Sequence, residues 1–182
     1  ICPERFYVKV PLTAAGYLGA RRLAASGVPI NFTLGFSARQ NYVAALLSRP
    51  DYVNVFLGRL NAFVSDNRLG DGRNVGEKAT LATQRVLANL RAAGRSPSRL
   101  IGASMRAGPQ VAALAGLDVY TMPPKVAEQY RGSPAAEITP QVEKDPAVTL
   151  AEGVKLEDFN GATLWDVPQP FQDCVDALLK QD

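Results

Sequence analysis

The sequence predicts an α/β fold built from parallel β/α units. Short runs rich in β-branched and aromatic residues alternate five times, between residues 6 and 131, with longer segments of helical spacing. Capping residues, glycines and prolines stand where one kind of segment hands over to the other. Crossovers of this kind are right-handed, and they build either a doubly wound sheet or a barrel.

The first strand lies in residues 6–13 (FYVKVPLT), where Pro11 closes the run and Thr13 can cap a helix after it. That helix is expected from Ala14 to Ser26, stopped by Gly27. Val28 to Leu34 reads as the second strand, and Ser37 caps a second helix running through Leu47. Tyr52 to Leu57 alternates poorly but is strongly apolar, which suits a strand buried on both sides. A polar, glycine-containing loop is expected from Ser65 to Asn74. The helix Val75 to Ala93 comes next, with Val75, Ala79, Ala82, Val86 and Leu90 on one stripe.

Leu100 to Ala103 is the next short strand, Ala107 to Ala115 a short helix stopped at Gly116, and Val119 to Met122 a further strand. Pro123 and Pro124 suit the opening turn of a helix that ends near Arg131. From Gly132 to Thr149 the composition shifts to Pro, Ala, Glu and Ser, as in a connecting segment. A last helix is expected from Pro170 to Lys180, with Phe171, Cys174, Val175, Leu178 and Leu179 on one face. Residues 1–131 therefore read as the β/α unit, and residues 132–182 as a connecting segment and a helix that packs on it or on a neighbouring subunit.

Composition narrows the chemistry. The chain of 182 residues can bury one sizeable core, and 47% of its residues are hydrophobic and 20% charged. No apolar run is long enough to span a bilayer. The sequence opens on Ile1 with no starting methionine or signal peptide, so Ile1 reads as an internal start, left by processing or by a missing segment. Net charge is +3, with the basic residues scattered and not interleaved with aromatics, which argues against nucleic acid and fits small anionic substrates. The absence of histidine excludes Ser-His-Asp and Cys-His catalysis and argues against zinc. Cys2 and Cys174 form no CxxC and are expected to be free, packed thiols of a reducing cytoplasm.

Lys9 is the leading candidate for chemistry. Its strand reads as buried, and burying an ammonium is costly unless it is paired or neutral. A lysine kept neutral by burial is a nucleophile able to form a Schiff base with a carbonyl. Taken alone, a strand lysine is more simply an exposed one; the other positions strengthen the reading. Asn31 and Thr33 lie two apart on the next strand and share a face. Arg59 and Arg106 each stand where a strand hands over to a loop, Arg106 with Ser104 two residues before it. Guanidinium groups bind phosphate through paired, charge-assisted hydrogen bonds.

In order and spacing, five blocks resemble the successive motifs of transaldolases and the related fructose-6-phosphate aldolases. They are residues 9–13 (KVPLT) with Gly16, 31–37 (NFTLGFS), 56–59 (FLGR), 103–106 (ASMR) and 114–124 (LAGLDVYTMPP). The resemblance implies a (β/α)8 TIM barrel, of which this chain supplies about strands four to eight. It implies that Lys9 forms an imine with a ketose and that a dihydroxyacetone unit passes between sugar phosphates, as in the pentose phosphate pathway. Asn31 is then expected to bind hydroxyls, Thr33 to hold a catalytic water, and Arg59, Ser104 and Arg106 to hold the phosphate. No cofactor and no metal are implied, because the protonated imine serves as the electron sink.

The resemblance also marks departures. Phe56 matches the transaldolases, where fructose-6-phosphate aldolases carry Tyr, and so favours transfer over free cleavage. Asn54 stands near the imine where Ser is usual, Asn61 replaces a frequent acidic residue, and Ala107 a common Asn. The family's general acid/base Asp and water-orienting Glu come from strands expected before Ile1. The expected complement is therefore an N-terminal barrel half or a further copy in a homo-oligomer. A chain that binds sugar phosphates without turnover, or a fructose-6-phosphate-type aldolase, are the alternatives.

Overall fold

The computed structural model describes residues 5–134, 137–155 and 162–180. At its centre is a five-stranded parallel sheet whose spatial order matches the order of the chain. Its strands are β1 (Val8–Pro11), β2 (Ile30–Thr33), β3 (Tyr52–Phe56), β4 (Arg99–Ala103) and β5 (Val119–Tyr120). A doubly wound sheet reverses its order at a switch point, and this one does not, so the arrangement is barrel-like.

The helices are α1 (Ala14–Ala25), α2 (Ala38–Leu47), α3 (Leu57–Asp66), α4 (Val75–Ala92), α5 (Pro109–Ala113), α6 (Pro124–Arg131), α7 (Ala162–Trp165) and α8 (Gln169–Leu179). Both expected N-caps form: the Thr13 hydroxyl accepts from the Gly16 N–H at 3.0 Å, and that of Ser37 from the Gln40 N–H at 3.1 Å.

Burial sorts the two faces of the sheet. Ile30, Phe32, Val53, Val55 and Leu100 are wholly buried and share one face by the period-2 rule and the strand register. Each stabilises the fold by about 1.5–3 kcal/mol through transfer from water. The central helix α4 backs this face, touching α2, α3 and β4. It is tied to the sheet by Arg91, whose guanidinium donates to both carboxylate oxygens of Asp118 at 2.9 and 3.0 Å. Asp118 also accepts from the Leu100 N–H at 2.9 Å.

The chain beyond α6 lies along the helical layer. Lys78 pairs with Asp145 at 2.7 Å, and the Arg85 guanidinium donates to the Val142 carbonyl at 2.6 Å. On α8, Phe171 meets the Tyr42 ring of α2 with centroids 6.2 Å apart, and Asp176 pairs with Arg95. Among the described residues no helix is long and apolar enough to cross a membrane.

Four expectations are corrected. The strand bearing Lys9 is not buried: β1 ends the sheet, has only β2 beside it among the described residues, and leaves Phe6, Tyr7, Val8 and Lys9 exposed. Residues 57–66 form the unexpected helix α3, so Arg59 stands in a helical first turn rather than a loop. Strand passes to helix there with no side-chain cap, so no capping residue announces the change. Cys174 is free but exposed rather than packed, and Leu178 is exposed as well. The apolar stripe of α8 that faces the rest of the chain is Phe171, Val175 and Leu179, and these two residues lie beside it. Cys2 lies outside the described residues.

Gly76 lets α4 touch α3 backbone to backbone, since a Cβ there would lie 2.2 Å from the Leu57 carbonyl oxygen and 2.5 Å from its Cα. Gly19 on α1 has no atom within 4 Å of the same position. Gly76→Ala is therefore expected to destabilise by about 2–3 kcal/mol, and Gly19→Ala to stabilise by about 0.5–1 kcal/mol. Urea unfolding of both variants checks the contrast, and equal effects would refute the close approach.

Candidate active site

The face of the sheet opposite the buried set carries the sequence-predicted polar residues. Lys9 pairs with Asn31 and Pro11 with Thr33 in the β1–β2 register, and paired residues of a parallel ladder project to the same side. Asn31 pairs in turn with Tyr52, so Asn54 and Phe56, two and four residues further on, lie on this face too. Lys9 is exposed, Asn31, Thr33 and Phe56 are half-buried, and Asn54 retains only 3% of its surface.

Two side-chain oxygens on this face are buried without a hydrogen-bond partner: Oδ1 of Asn31 and Oδ1 of Asn54. An unmet buried acceptor costs about 1–3 kcal/mol. Both are acceptors with the chemistry to take a hydroxyl or ammonium donor. The Asn54 main chain is held tightly, its carbonyl accepting from Asn41 Nδ2 at 3.3 Å, while the Phe56 N–H donates to the Gly35 carbonyl at 2.9 Å.

The second half of the site gathers where β3 and β4 end. Arg59, in the first turn of α3, lies with its guanidinium carbon 5.7 Å from the centre of the Phe56 ring, within cation–π range. Gly58 is pressed by the loop after β4: a Cβ there would stand 2.1 Å from the Ser104 carbonyl oxygen and 2.8 Å from Arg106 Cγ. Ser104 itself takes a left-handed backbone (φ 65°), a strain of about 1–3 kcal/mol for a non-glycine residue. Arg59 and Arg106 are exposed, and among the described residues neither makes an ion pair. Two unneutralised guanidinium groups thus flank a glycine at adjacent strand ends.

Beside them is a cleft of about 410 Å³ lined by Gly58, Asn61, Arg73, Glu77, Arg106 and Gln110. Among the described residues no cluster of His, Cys, Asp or Glu is arranged to hold a metal ion. Lys9 sits on the edge strand and the arginines lie just beyond β3 and β4, so the polar face of β2 and β3 separates the two halves.

Comparison with known proteins shows the family. The sequence model described as "Transaldolase/Fructose-6-phosphate aldolase" matches residues 1–164. The chain belongs to that family. Among transaldolase relatives, a protein of Desulfotalea psychrophila named "Probable transaldolase" is 34% identical over 136 residues, covering 74% of this chain and 57% of its own length. One of Thermus thermophilus with the same name is 36% identical over 133 residues, covering 72% and 53%. A third, from Nitrosopumilus maritimus, is 32% identical over 138 residues, covering 74% and 56%. The chain thus spans little more than half the length of the transaldolase relatives it matches.

The transaldolase-type motifs leave out the residues that hold the arginine-bearing segments. Glu77 accepts from Asn61 Nδ2 at 2.9 Å and from Gln110 Nε2 at 2.7 Å. In the sequence Glu77 looks like an ordinary acid of a helical first turn, and Gln110 like a surface residue. The departure at Asn61 is the one available signal. Its Oδ1 accepts from the Gly76 N–H at 2.7 Å while its Nδ2 faces the Glu77 carboxylate, so one amide serves a donor and an acceptor.

An acid at position 61 would keep the first bond and lose the second. Asn61→Asp sets two carboxylates together, so one must hold a proton for the pair to persist. A proton held in the folded chain and released on unfolding stabilises at low pH and is lost as pH rises. Asn61→Asp is therefore expected to match wild type near pH 4 and to fall about 1–3 kcal/mol below it by pH 7. Urea unfolding across that range is the check, and a pH-independent difference would refute the shared proton.

Proposed function

We propose that the chain supplies the Schiff-base lysine and the phosphate-binding half of a transaldolase-type enzyme, with sugar phosphates as its substrates. The observation that carries this reading is the register of Lys9 with Asn31 on a polar face where the Asn31 and Asn54 carboxamide oxygens are buried and unpartnered. Such acceptors suit the hydroxyls of a three-carbon unit held on the lysine.

In this reading the Lys9 amine attacks the ketose C2 carbonyl, and the carbinolamine loses water to give a protonated imine. The imine draws in the electron pair of the C3–C4 bond as it breaks, the C4 hydroxyl gives up its proton, and an aldose phosphate leaves. The remaining enamine carbon attacks an acceptor aldehyde, and water, held by Thr33, releases the product from Lys9. Asn31 and Asn54 accept hydrogen bonds from the bound unit. Arg59, Ser104 and Arg106 hold the phosphate. Phe56 has no hydroxyl to assist free cleavage, which favours transfer over a fructose-6-phosphate aldolase activity.

The family implies an eight-stranded barrel, with the five strands here as its fourth to eighth. The greater length of the matched relatives and the exposed edge of β1 support this. The proton-transfer carboxylates would then come from a preceding barrel half or a further copy. Residues 1–131 would be the barrel portion, with 132–182 packed upon it, in a cytoplasmic enzyme of carbohydrate metabolism. One observation favours a second reading, sugar-phosphate binding without turnover. Lys9 is exposed and makes no ion pair with a carboxylate among the described residues.

Borohydride trapping with fructose 6-phosphate, read by intact mass, separates the two. A reduced three-carbon adduct on Lys9 is expected of the transferase, and an adduct of the whole sugar of a chain that forms the imine without cleaving it. Lys9→Met should abolish either adduct, and persistence of an adduct would exclude Lys9 as the nucleophile.

Arg106→Ala should weaken phosphorylated sugars about tenfold, the low end of a charge-assisted contact because the side chain is exposed. Unphosphorylated sugars should be unaffected. A similar loss for both would show that Arg106 does not read phosphate.

A further inference from the structure

Glu77 is an acid that the proposed reaction does not use. It keeps 6% of its surface, yet among the described residues no cation pairs with it. Its partners are two neutral amides, Asn61 Nδ2 on Oε2 and Gln110 Nε2 on Oε1. A carboxylate needed only to complement a helix N-terminus would do so from the surface. A buried one that accepts from two side chains on other segments fixes those segments instead.

Each amide passes the constraint onward. Asn61 stands two residues after Arg59 on α3. Gln110 turns its Oε1 back to accept from the N–H groups of Arg106 at 2.7 Å and Ala107 at 3.0 Å. The carboxylate allows this amide one orientation, since a flipped Gln110 would aim its NH2 at two N–H donors and its oxygen at an anion. The strained turn at Ser104 leads directly into the two amides so held, and the Arg106 side chain then lies against Gly58.

We infer that Glu77 is a positioning residue for the anion site. Through Gln110 and Asn61 it ties together the two segments that carry Arg106 and Arg59. The inference rests on the reading of those arginines as phosphate ligands, and it adds the device that sets their separation.

The test compares Glu77→Ala and Glu77→Gln with the wild-type chain by three measurements. These are fructose 6-phosphate affinity by calorimetry, borohydride trapping of unphosphorylated dihydroxyacetone, and the amide proton shifts of Arg106 and Ala107. Glu77→Ala should bind fructose 6-phosphate at least tenfold more weakly. Glu77→Gln, which keeps one acceptor, should lose less. Both should shift the two amides upfield and leave dihydroxyacetone trapping as in wild type. Where the alanine variant does not fold, the glutamine variant carries the comparison.

Unchanged affinity, or a loss matched by equal loss of dihydroxyacetone trapping, would overturn the positioning role. A wild-type chain with no affinity for fructose 6-phosphate would instead overturn the phosphate reading. The inference falls with that reading, and the amide shifts then decide only whether Glu77 holds residues 106 and 107 in place: movement upholds that tie, and unchanged shifts refute it.

Discussion

The structure depends on one topological constraint, that five parallel strands lie side by side in the order in which the chain makes them. Right-handed crossovers in an unreversed order bring every connection back over the same side of the sheet. One face is therefore committed to helices, and its residues must be apolar and fully buried, as Ile30, Phe32, Val53, Val55 and Leu100 are. The other face is released from that demand. Because side chains alternate along a strand, each central strand carries a packing set and an independent polar set. In β2 this gives Ile30 and Phe32 inward to the helices and Asn31 and Thr33 away from them. The candidate site residues of the strands are placed by the same alternation that builds the core.

The same constraint explains the edge. A sheet that reads in chain order must begin with its first strand, and among the described residues β1 has a neighbour on one side only. Its composition suits a central strand, so Phe6, Tyr7 and Val8 stand 60%, 50% and 41% exposed. Unpaired strand edges with apolar side chains are a liability in water that native proteins cover or charge. Lys9 is the single charge within β1. It stands on the strand at the end of the sheet and on the face that the helices leave free, so neither a lateral neighbour nor a covering layer shields it among the described residues.

How much of the fold and site is legible in the sequence depends on how local each determinant is. The caps at Thr13 and Ser37 act within three residues of their partners, and the sequence marks both helix starts correctly. Strand composition reports what a segment tolerates on its faces. What lies beside a strand is a property of the whole sheet, and there the expectation of a buried Lys9 fails. Helix α3 escapes the sequence because Phe56 serves as strand end and helix entry at once, with no capping side chain to mark it. Glu77, Asn61 and Gln110 are 16 and 33 residues apart along the chain in their two contacts, so no motif of fixed spacing reveals them. The candidate site positions are read from motifs, and the scaffolding around them is legible only in three dimensions.

Buried unmet acceptors do not by themselves identify a site. Asn41 Oδ1 on α2 is unpartnered as well, and it lies on the helical side, away from Lys9. Asn41 spends its amide nitrogen on the Asn54 carbonyl, so it has a structural reason for its position. Asn31 and Asn54 have none of that kind, since their side chains face away from the helices. Each carries a desolvation cost of about 1–3 kcal/mol that packing alone would remove by an apolar residue. What separates them is register: Asn31 lies level with the lysine, Asn54 two residues along the adjoining strand, and both point to the face that the helices leave free. The unmet oxygens, the strained Ser104 and the two arginines, which make no ion pair among the described residues, all gather on that face or where its strands end, and broken local rules of this kind cluster at functional sites in folded proteins.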